Sequence, residues 1–525
     1  MVPFADFTYF GLLTYVLVPF LIAGLWGCLN KWWVLGTAAV MLLIQASGVV
    51  SIRPDFQVSE LLLLTSYSVF QALLAWGLLR WKSERLFYLT LALSLLPLVA
   101  SKLVPIFFSH TVFGFMGISY LTFRSLDVLL SVRDGVIKQL SPAQYFSFLL
   151  FFPTLSSGPV DRYRRFGQDW DKRRSREEFL DDFDVAISRV ARGFLYKFII
   201  AALIKTYWMD AVSTGRGAFT LWSYMYAYTF YLFFDFAGYS SFAVGVGRVL
   251  GIRVPENFDK PFLSKNIRDF WSRWHISLSF WFRDHIYMRF LLAASKGKWF
   301  QGKNTASTLG SFITFGLMGV WHGLSLHYIL YGLYHAALLS AYDWFSRWNK
   351  TRQIWGSGRW QWAVDVALTF HAFSFGLLLF SGRMTPPSPP KEDFQVEKID
   401  SREIVGFLWN RNAQSAEHTL DLVIDDAYIE RTNASLYRED LRDRGYGSGR
   451  HGFRLTMPWW IRDGRPHTVE IRDGKTALPL KGFPQNVEFE RDEEEIQREE
   501  AKLRKLQEGE ALKQQESQTG VPSPR

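Results

Sequence analysis

Long apolar runs, each able to cross about 30 Å of hydrocarbon as a helix, recur at roughly 9–29, 33–50, 61–79, 87–108, 111–131, 187–211, 218–250, 305–322, 325–343 and 361–382. So many runs leave few folds open. Inside a bilayer every backbone donor and acceptor needs an internal partner, so the runs are helices and the expected class is an all-α polytopic membrane protein. A shorter run at 142–157 is expected to dip in and return. The first run follows Met1-Val2-Pro3-Phe4-Ala5-Asp6, which carries an acid where a signal peptide has bases, so a retained helix is expected.

The mean hydropathy of +0.02 averages two unlike parts, an apolar one up to about Gly382 and a charged one from Arg383 onward. Between them, at 383–392, Met384-Thr-Pro-Pro-Ser-Pro-Pro-Lys391 is too proline-rich for helix and reads as a linker. The period then changes. Thr419–Asp425 and His467–Ile471 alternate as strands do, and Asp425-Asp426, Asp463-Gly464 and Asp473-Gly474 are turn signals. Residues 393–489 are therefore expected to form a small β-rich, sandwich-like domain. The Glu/Lys/Arg/Gln-rich stretch 490–525 reads as a solvated helical or disordered tail.

Net charge is +10, yet Lys and Arg gather in short loops between apolar runs and form no continuous face for phosphates, so nucleic acid is not an expected partner. Placing the loops around Arg80–Arg85, Arg162–Arg176 and Arg347–Arg359 in the cytoplasm puts the N-terminus outside. The single cysteine, Cys28, excludes a disulfide within the chain and any cysteine-built zinc or iron–sulfur site. His110, His285, His327, His335 and His371 have no metal-ligand spacing, and His418, His451 and His467 fall in the β-rich part, so no metal is expected.

Ionisable residues inside apolar runs are costly and mark function or pairing. His322, in Met318-Gly-Val-Trp321-His322-Gly323, ends such a run. A neutral imidazole there can take a proton from a hydroxyl; spacing alone fits equally a packing histidine bonded to a carbonyl. The stretch Phe258–Leu292 mixes aromatics with charges and is expected to be re-entrant or interfacial. Within it lie Trp274, His275, Ser277, Arg283 and Asp284, with Asp269 and Arg273 spaced as an internal ion pair. Asp235 is a lone acid expected to pair with an Arg or His of that inner segment. Gly245-Val-Gly247-Arg-Val-Leu-Gly251 has no preceding strand and reads as helix packing rather than a nucleotide loop. Ser156–Tyr163 turns into a basic loop whose Arg162, Arg164 and Arg165 can dock an acidic partner or anchor at anionic headgroups.

At these residues the chain resembles a known family. The runs Ser157–Phe166, Phe234-Asp-Phe-Ala-Gly-Tyr-Ser240, Pro255–Phe262, Phe270–Asp284 and Gly319-Val-Trp-His-Gly323 are similar to the D-alanyl transfer (DltB) branch of the membrane-bound O-acyltransferases, with the alginate O-acetyltransferases more distant. The similarity spans roughly residues 5–382. It implies a ring of about 10–11 transmembrane helices with re-entrant segments around a thin centre, multi-pass in the bacterial cytoplasmic membrane. It also implies transfer of an acyl group, D-alanyl before acetyl, from the phosphopantetheine thioester of a small acidic carrier protein to hydroxyls of an envelope glycopolymer, with no tightly bound cofactor. The family's invariant histidine matches His322 and its second histidine matches His275. By the same resemblance Asp235, Trp274, Ser277, Arg283, Asp284 and Trp321 are expected to line or support the substrate passage, and Arg162, Arg164 and Arg165 to dock the carrier.

The chain departs from that branch beyond Gly382. Arg438-Glu-Asp440-Leu441 followed by Gly445-Tyr-Gly447-Ser-Gly449-Arg-His451 resembles β-sandwich modules attached to some bacterial glycosyltransferases, which points to a polysaccharide setting; a scaffolding role fits equally. Two further classes remain at this stage: a transporter or flippase of an acyl donor or lipid-linked glycan, which polar residues at mid-membrane also suit, and a scaffold with a degenerate membrane part.

Overall fold

The computed structural model describes residues 4, 7–46, 58–107, 117–212, 217–384, 392–410, 419–444, 446, 449–474, 479–494, 496–502 and 504–505. Most of the expected linker, the tail beyond 505, His110 and His418 lie outside the described residues. The chain divides into two compact units, Met1–Thr385 and Pro386–Arg525.

The first unit is helical: α1 (Phe7–Leu25), α2 (Lys31–Ala46), α3 (Val58–Trp81), α4 (Glu84–Phe107), α5 (Ile118–Arg133), α6 (Pro142–Leu149), α7 (Tyr163–Trp170), α8 (Arg176–Phe194), α9 (Ala218–Val249), α10 (Ile267–Trp271), α11 (Ile276–Phe282), α12 (Met288–Lys296), α13 (Lys303–His322), α14 (Leu326–Arg352) and α15 (Arg359–Phe380). Among the described residues three segments are long and apolar enough to cross a membrane, Leu62–Trp81, Glu84–Leu103 and Arg359–Phe380, with a shorter apolar helix at Tyr9–Leu25. Helices α9 and α14 are longer, at 32 and 27 residues, but Asp235 and Arg248 in one and Asp343, Arg347, Lys350 and Arg352 in the other lower their apolar content.

Local chemistry sets several boundaries that hydropathy passes over. The expected run at 187–211 is the second half of a helix that begins at Arg176. A capping box starts it: Glu178 N donates to Ser175 Oγ at 3.2 Å and Ser175 N to the Glu178 carboxylate at 3.3 Å. This helix then widens into π-helical turns at Leu195–Ala201 and Ile204–Met209. The short run at 142–157 forms α6 and a 3₁₀ turn, Phe152–Thr154. Its orphan C-terminal carbonyls find a donor in Arg124, 1% exposed, whose guanidinium reaches Phe148 O at 2.9 Å, Leu149 O at 2.8 Å and Thr154 O at 2.6 Å. A buried arginine thus terminates a helix inside the apolar core. Gly245 packs within 3.1 Å of Ala186 O for an added Cβ, so α8 and α9 approach closely there, as helix packing requires.

The second unit has two four-stranded antiparallel sheets built from β1 (Glu392–Ile399), β2 (Glu403–Asn410), β3 (Thr419–Ile424), β4 (Ala427–Asn433), β5 (Leu436–Tyr437), β6 (Arg450–Thr456), β7 (Pro466–Asp473) and β8 (Gln485–Glu488), in orders β1-β2-β6-β5 and β4-β3-β7-β8. Ile404 and Phe453 of one sheet and Leu422 and Ile471 of the other share a single core, as in a sandwich. Asp425 and Asp426 both have positive φ, 48° and 64°, which matches the right-handed twist of the β3–β4 hairpin. Strand β7 alternates buried and exposed residues, whereas β3 buries Asp421 as well, opposite Arg431, whose guanidinium meets it at 2.6 and 2.8 Å.

Candidate active site

The inner segment is held by one asparagine. Asn257 O accepts from Ile276 N at 3.0 Å, Asn257 Oδ1 accepts from Ser277 Oγ at 2.6 Å, and Asn257 Nδ2 donates to Ser240 Oγ at 3.2 Å. Ser277 Oγ in turn accepts from Val160 N at 2.8 Å. The turn before α7, helix α9 and the start of α11 are therefore tied at one point, and Ser277 serves as a joint. His275 precedes α11 with φ 45° and ψ 49°. A Cβ disfavours that left-handed conformation, typically by about 1–2 kcal/mol, so the surrounding bonds over-determine it. The His275 ring is buried, 4.7 Å from the Phe236 ring centre, and its Nδ1 has no hydrogen-bond partner. Trp274 is buried among Phe258, Phe270 and Phe373, forming the wall beside it. Arg273 Nε bonds Asp269 at 2.8 Å, the internal pair expected from the spacing.

His322 is the last residue of α13. Trp321 and Phe380 stand 4.5 and 4.9 Å from its ring, with Tyr328 and Tyr331 at 6.1 and 6.3 Å. Among the described residues the His322 ring makes no hydrogen bond within the protein. Tyr331 also stands 4.6 Å from His335, which stands 5.1 Å from Trp271, so a run of rings links His322 to the inner segment. The position of His322 depends on a glycine crossing. A Cβ on Gly319 would lie 2.5 Å from Tyr328 O and 3.4 Å from Gly332 Cα, and one on Gly332 would lie 2.2 Å from Phe315 O. Helices α13 and α14 touch backbone to backbone there, which only small residues allow. Trp321 packs 5.3 Å from Phe123, and its buried indole N–H has no partner.

A cavity of about 450 Å³ lies between the inner segment and α13–α14. Arg268, Arg283 and Asp343 give it charged lining, while Trp271, Phe315 and Met318 give it apolar lining. Ser311, Thr314 and Met318 line it from α13, and His322 is the next position on that face, one turn past Met318. Arg268 is ion-paired with Asp343. Arg283 is exposed, lies over the Phe280 ring at 4.2 Å and bonds Asp284 at 2.8 Å.

The basic turn is largely self-paired. Arg162 bonds Asp127 at 2.8 Å and Asp284 at 3.2 Å, and Asp127 also meets His285 Nε2 at 2.9 Å. Arg165 pairs with Asp161 and Asp169. Arg164 is exposed, and among the described residues no ion pair holds it. The three arginines, Gln168 and His285 line a second cavity of about 460 Å³. Asp235 corrects the sequence reading. Its partner is Lys197, on the π-helical turn beside α9, not an Arg or His of the inner segment, because the widened turn carries the Lys197 amine to that side chain.

The structure thus brings His322, Trp321, His275 and Trp274 into one aromatic interior, sets Arg283 at the cavity and Asp284 beside it, and uses Ser277, Arg162 and Arg165 as joints. Pattern alone did not single out Asn257, Lys197 or Tyr331. Asn257 lies within the Pro255–Phe262 run, between Glu256 and Phe258, where its residue type and spacing carry no signal of its own. No group of three or more His, Cys, Asp or Glu suited to a metal occurs among the described residues.

Residues 47–385 match the membrane-bound O-acyltransferase family, and the match ends where the second unit begins. The teichoic acid D-alanyltransferase of Bacillus subtilis (strain 168) is 42% identical over 399 residues, 73% of this chain and 98% of that protein. That of Streptococcus thermophilus is 39% identical over 62% of this chain and 83% of its own length. The probable alginate O-acetylase AlgI of Pseudomonas syringae pv. tomato is 32% identical over 58% of this chain and 57% of its own length. With a family match over more than half its length, this chain belongs to the membrane-bound O-acyltransferase family and is a membrane O-acyltransferase.

Proposed function

We propose that the chain moves a D-alanyl group from the phosphopantetheine thioester of a small acidic carrier protein to hydroxyls of an envelope glycopolymer, a teichoic acid or an exopolysaccharide, with His322 as general base. One observation carries the reading: the α13 face that lines the 450 Å³ cavity continues onto His322. A thioester carbonyl is already electrophilic, and the alcohol is the weak partner. His322 takes the hydroxyl proton as the oxygen attacks the carbonyl carbon. The C–O bond forms, the C–S bond breaks, and the imidazolium returns the proton to the departing thiolate. Such general-base help is typically worth about 10²–10⁴-fold. His275 orients the donor or balances charge, and Trp274, Trp321, Arg283 and Asp284 shape the passage, with Asp235 supporting it through Lys197.

The carrier approaches a basic cytoplasmic face, where Arg164 is a cation that no ion pair holds among the described residues and Arg162 and Arg165 set its surroundings. Helices α9, α13 and α14 join the three apolar segments in a multi-pass ring of about 10–11 spans in the bacterial inner membrane. Residues 1–382 are then the transferase domain, 383–392 a linker, 393–489 an accessory domain and 490–525 a tail.

The test supplies purified protein with D-alanyl-loaded and acetyl-loaded carrier in parallel and reads the acceptor by mass spectrometry. D-alanyl ester on the glycopolymer, lost in H322A with carrier binding intact, is the expected result. Undiminished transfer by H322A removes His322 from the chemistry.

A further inference from the structure

An apolar groove of about 650 Å³ runs between α1 and α2 and shares no residue with the 450 Å³ cavity. Tyr15, Pro19 and Phe20 line it from α1, and Trp33, Gly36 and Val40 from α2. It opens outward, since Tyr15 is 80% and Trp32 60% exposed. Gly36 keeps it open: a Cβ there would meet nothing within 4 Å. From Trp32 to Val40 the lining runs about 12 Å along α2 at 1.5 Å per residue, most of the depth of one leaflet of a ~30 Å hydrocarbon core. One end of the groove is polar and basic. Asn30 lines both the groove and a small neighbouring pocket that Lys31, Lys172 and Arg174 also line. Lys172 is held by Glu178 at 2.6 Å and Arg174 by Asp182, but Lys31 reaches only the exposed Asp171, at 3.7 Å. Arg176 is exposed, and among the described residues no ion pair holds it. Its backbone N lies 3.7 Å from where a Cβ on Gly27, in the α1–α2 loop, would stand. Trp26 and Trp32, both exposed, flank that basic end with the amphipathic ring that settles at headgroup level.

A groove that is apolar along the depth of a leaflet and cationic at one end matches an amphiphile with an anionic head. For a member of a membrane family the amphiphile at hand is the surrounding phospholipid. We propose that the α1–α2 groove is a binding site for one anionic phospholipid of the bilayer, with an acyl chain along Tyr15, Gly36 and Val40 and the phosphate held by Lys31 and Arg176. Long basic side chains suit that task, because their stems lie along apolar surface while their heads reach the phosphate. Within a bilayer the chain gains no hydrophobic driving force from the groove. The preference therefore comes from packing and from the two cations, each worth roughly fivefold toward an anionic head at a membrane surface. None of these residues takes part in the proposed acyl transfer, so the site stands or falls independently of that reading.

The experiment titrates delipidated full-length protein in mild detergent with phosphatidylglycerol and with phosphatidylethanolamine of matched chains, and reads one-to-one adducts by native mass spectrometry. Phosphatidylglycerol is expected to bind roughly tenfold or more tightly than phosphatidylethanolamine. G36F, which puts a ring into the open space of the groove, is expected to weaken both lipids roughly tenfold, the order of two displaced methylene groups. K31Q/R176Q is expected to bring the two lipids within about threefold of each other, with phosphatidylethanolamine bound about as well as before. Equal affinity of the wild type for the two lipids overturns the proposal, and so does unaltered binding by G36F. A wild-type dimer that G36F dissociates without affecting lipid binding gives the groove to a second copy of the chain and overturns the lipid site as well. Should G36F not be recovered folded, V40W, at an exposed position lining the same groove, decides by the same tenfold criterion.

Discussion

His467 of the β unit and three histidines of the helical unit are treated differently. In the β unit, His467 gives Nδ1 to Asp425 at 2.6 Å and Nε2 to Asp463 at 3.0 Å, so both nitrogens are engaged and two turns are pinned to β7. In the helical unit, His335 engages neither nitrogen, His275 leaves Nδ1 open, and His322 makes no hydrogen bond within the protein among the described residues. Apolar surroundings alone do not explain this, because Arg124 is as deeply buried and bonds three carbonyls. The division runs between groups that hold the frame and histidines packed among aromatic rings. On the proposed function, His275 and His322 keep hydrogen-bonding capacity for a substrate.

That contrast breaks most clearly at His322. His322→Ala is expected to cut acyl transfer by about 10²–10⁴-fold while leaving thermal unfolding in detergent nearly unchanged; a large fall in melting temperature would move His322 into the framework class. Arg124→Met should do the reverse. Stripping the donor from three buried carbonyls is expected to destabilise by roughly 3–5 kcal/mol, seen as a lowered unfolding midpoint, with activity per folded molecule retained. Gly319→Ala joins the two classes. Overpacking the α13–α14 crossing is expected to cost about 1–3 kcal/mol and to lower kcat as well, since His322 rides on that contact.

The smallest effect sharpens the β side. Burial works against charge on His467, but the Asp425 and Asp463 carboxylates outweigh it and hold the ring's pKa above the ordinary value. A group whose folded pKa is raised stabilises the fold most below its unfolded pKa, near 6.5, and loses that contribution as pH climbs through the folded value. Hydrogen exchange across residues 419–473 in the full chain should therefore show weakening protection, after correction for intrinsic rates, over that rise. His467→Gln should flatten the profile. An unchanged profile in the variant would return the histidine to a passive role.

The end of α13 was legible in the sequence because an ionisable residue closing an apolar run is conspicuous: His322, with Trp321 and Gly319, needed no structure to be noticed. Pairing across distance was not legible. Asp235 stood out as a lone acid, but its partner lies 38 positions away in a π-helical turn that no periodicity announces. Arg162 looked like part of a free basic loop because its partners Asp127 and Asp284 lie on distant elements, whereas Arg165 pairs with Asp161 and Asp169 four residues to either side. His335 was passed over because only metal spacing was sought, whereas its significance lies in what it fails to bond. Hydropathy located the apolar runs but placed the α8 start eleven residues late, because a capping box, not apolarity, begins that helix.

The glycine crossing has a mechanical corollary. His322 lies three residues beyond Gly319, a lever arm of about 4.5 Å at 1.5 Å per residue. If α13 rocks by about five degrees on that fulcrum, the imidazole sweeps only ~0.4 Å, inside the ~0.5 Å tolerance that reacting groups need. A fulcrum ten residues away would have swept it more than a full ångström. Breathing of the packed helices therefore reaches the His322 ring in strongly reduced form.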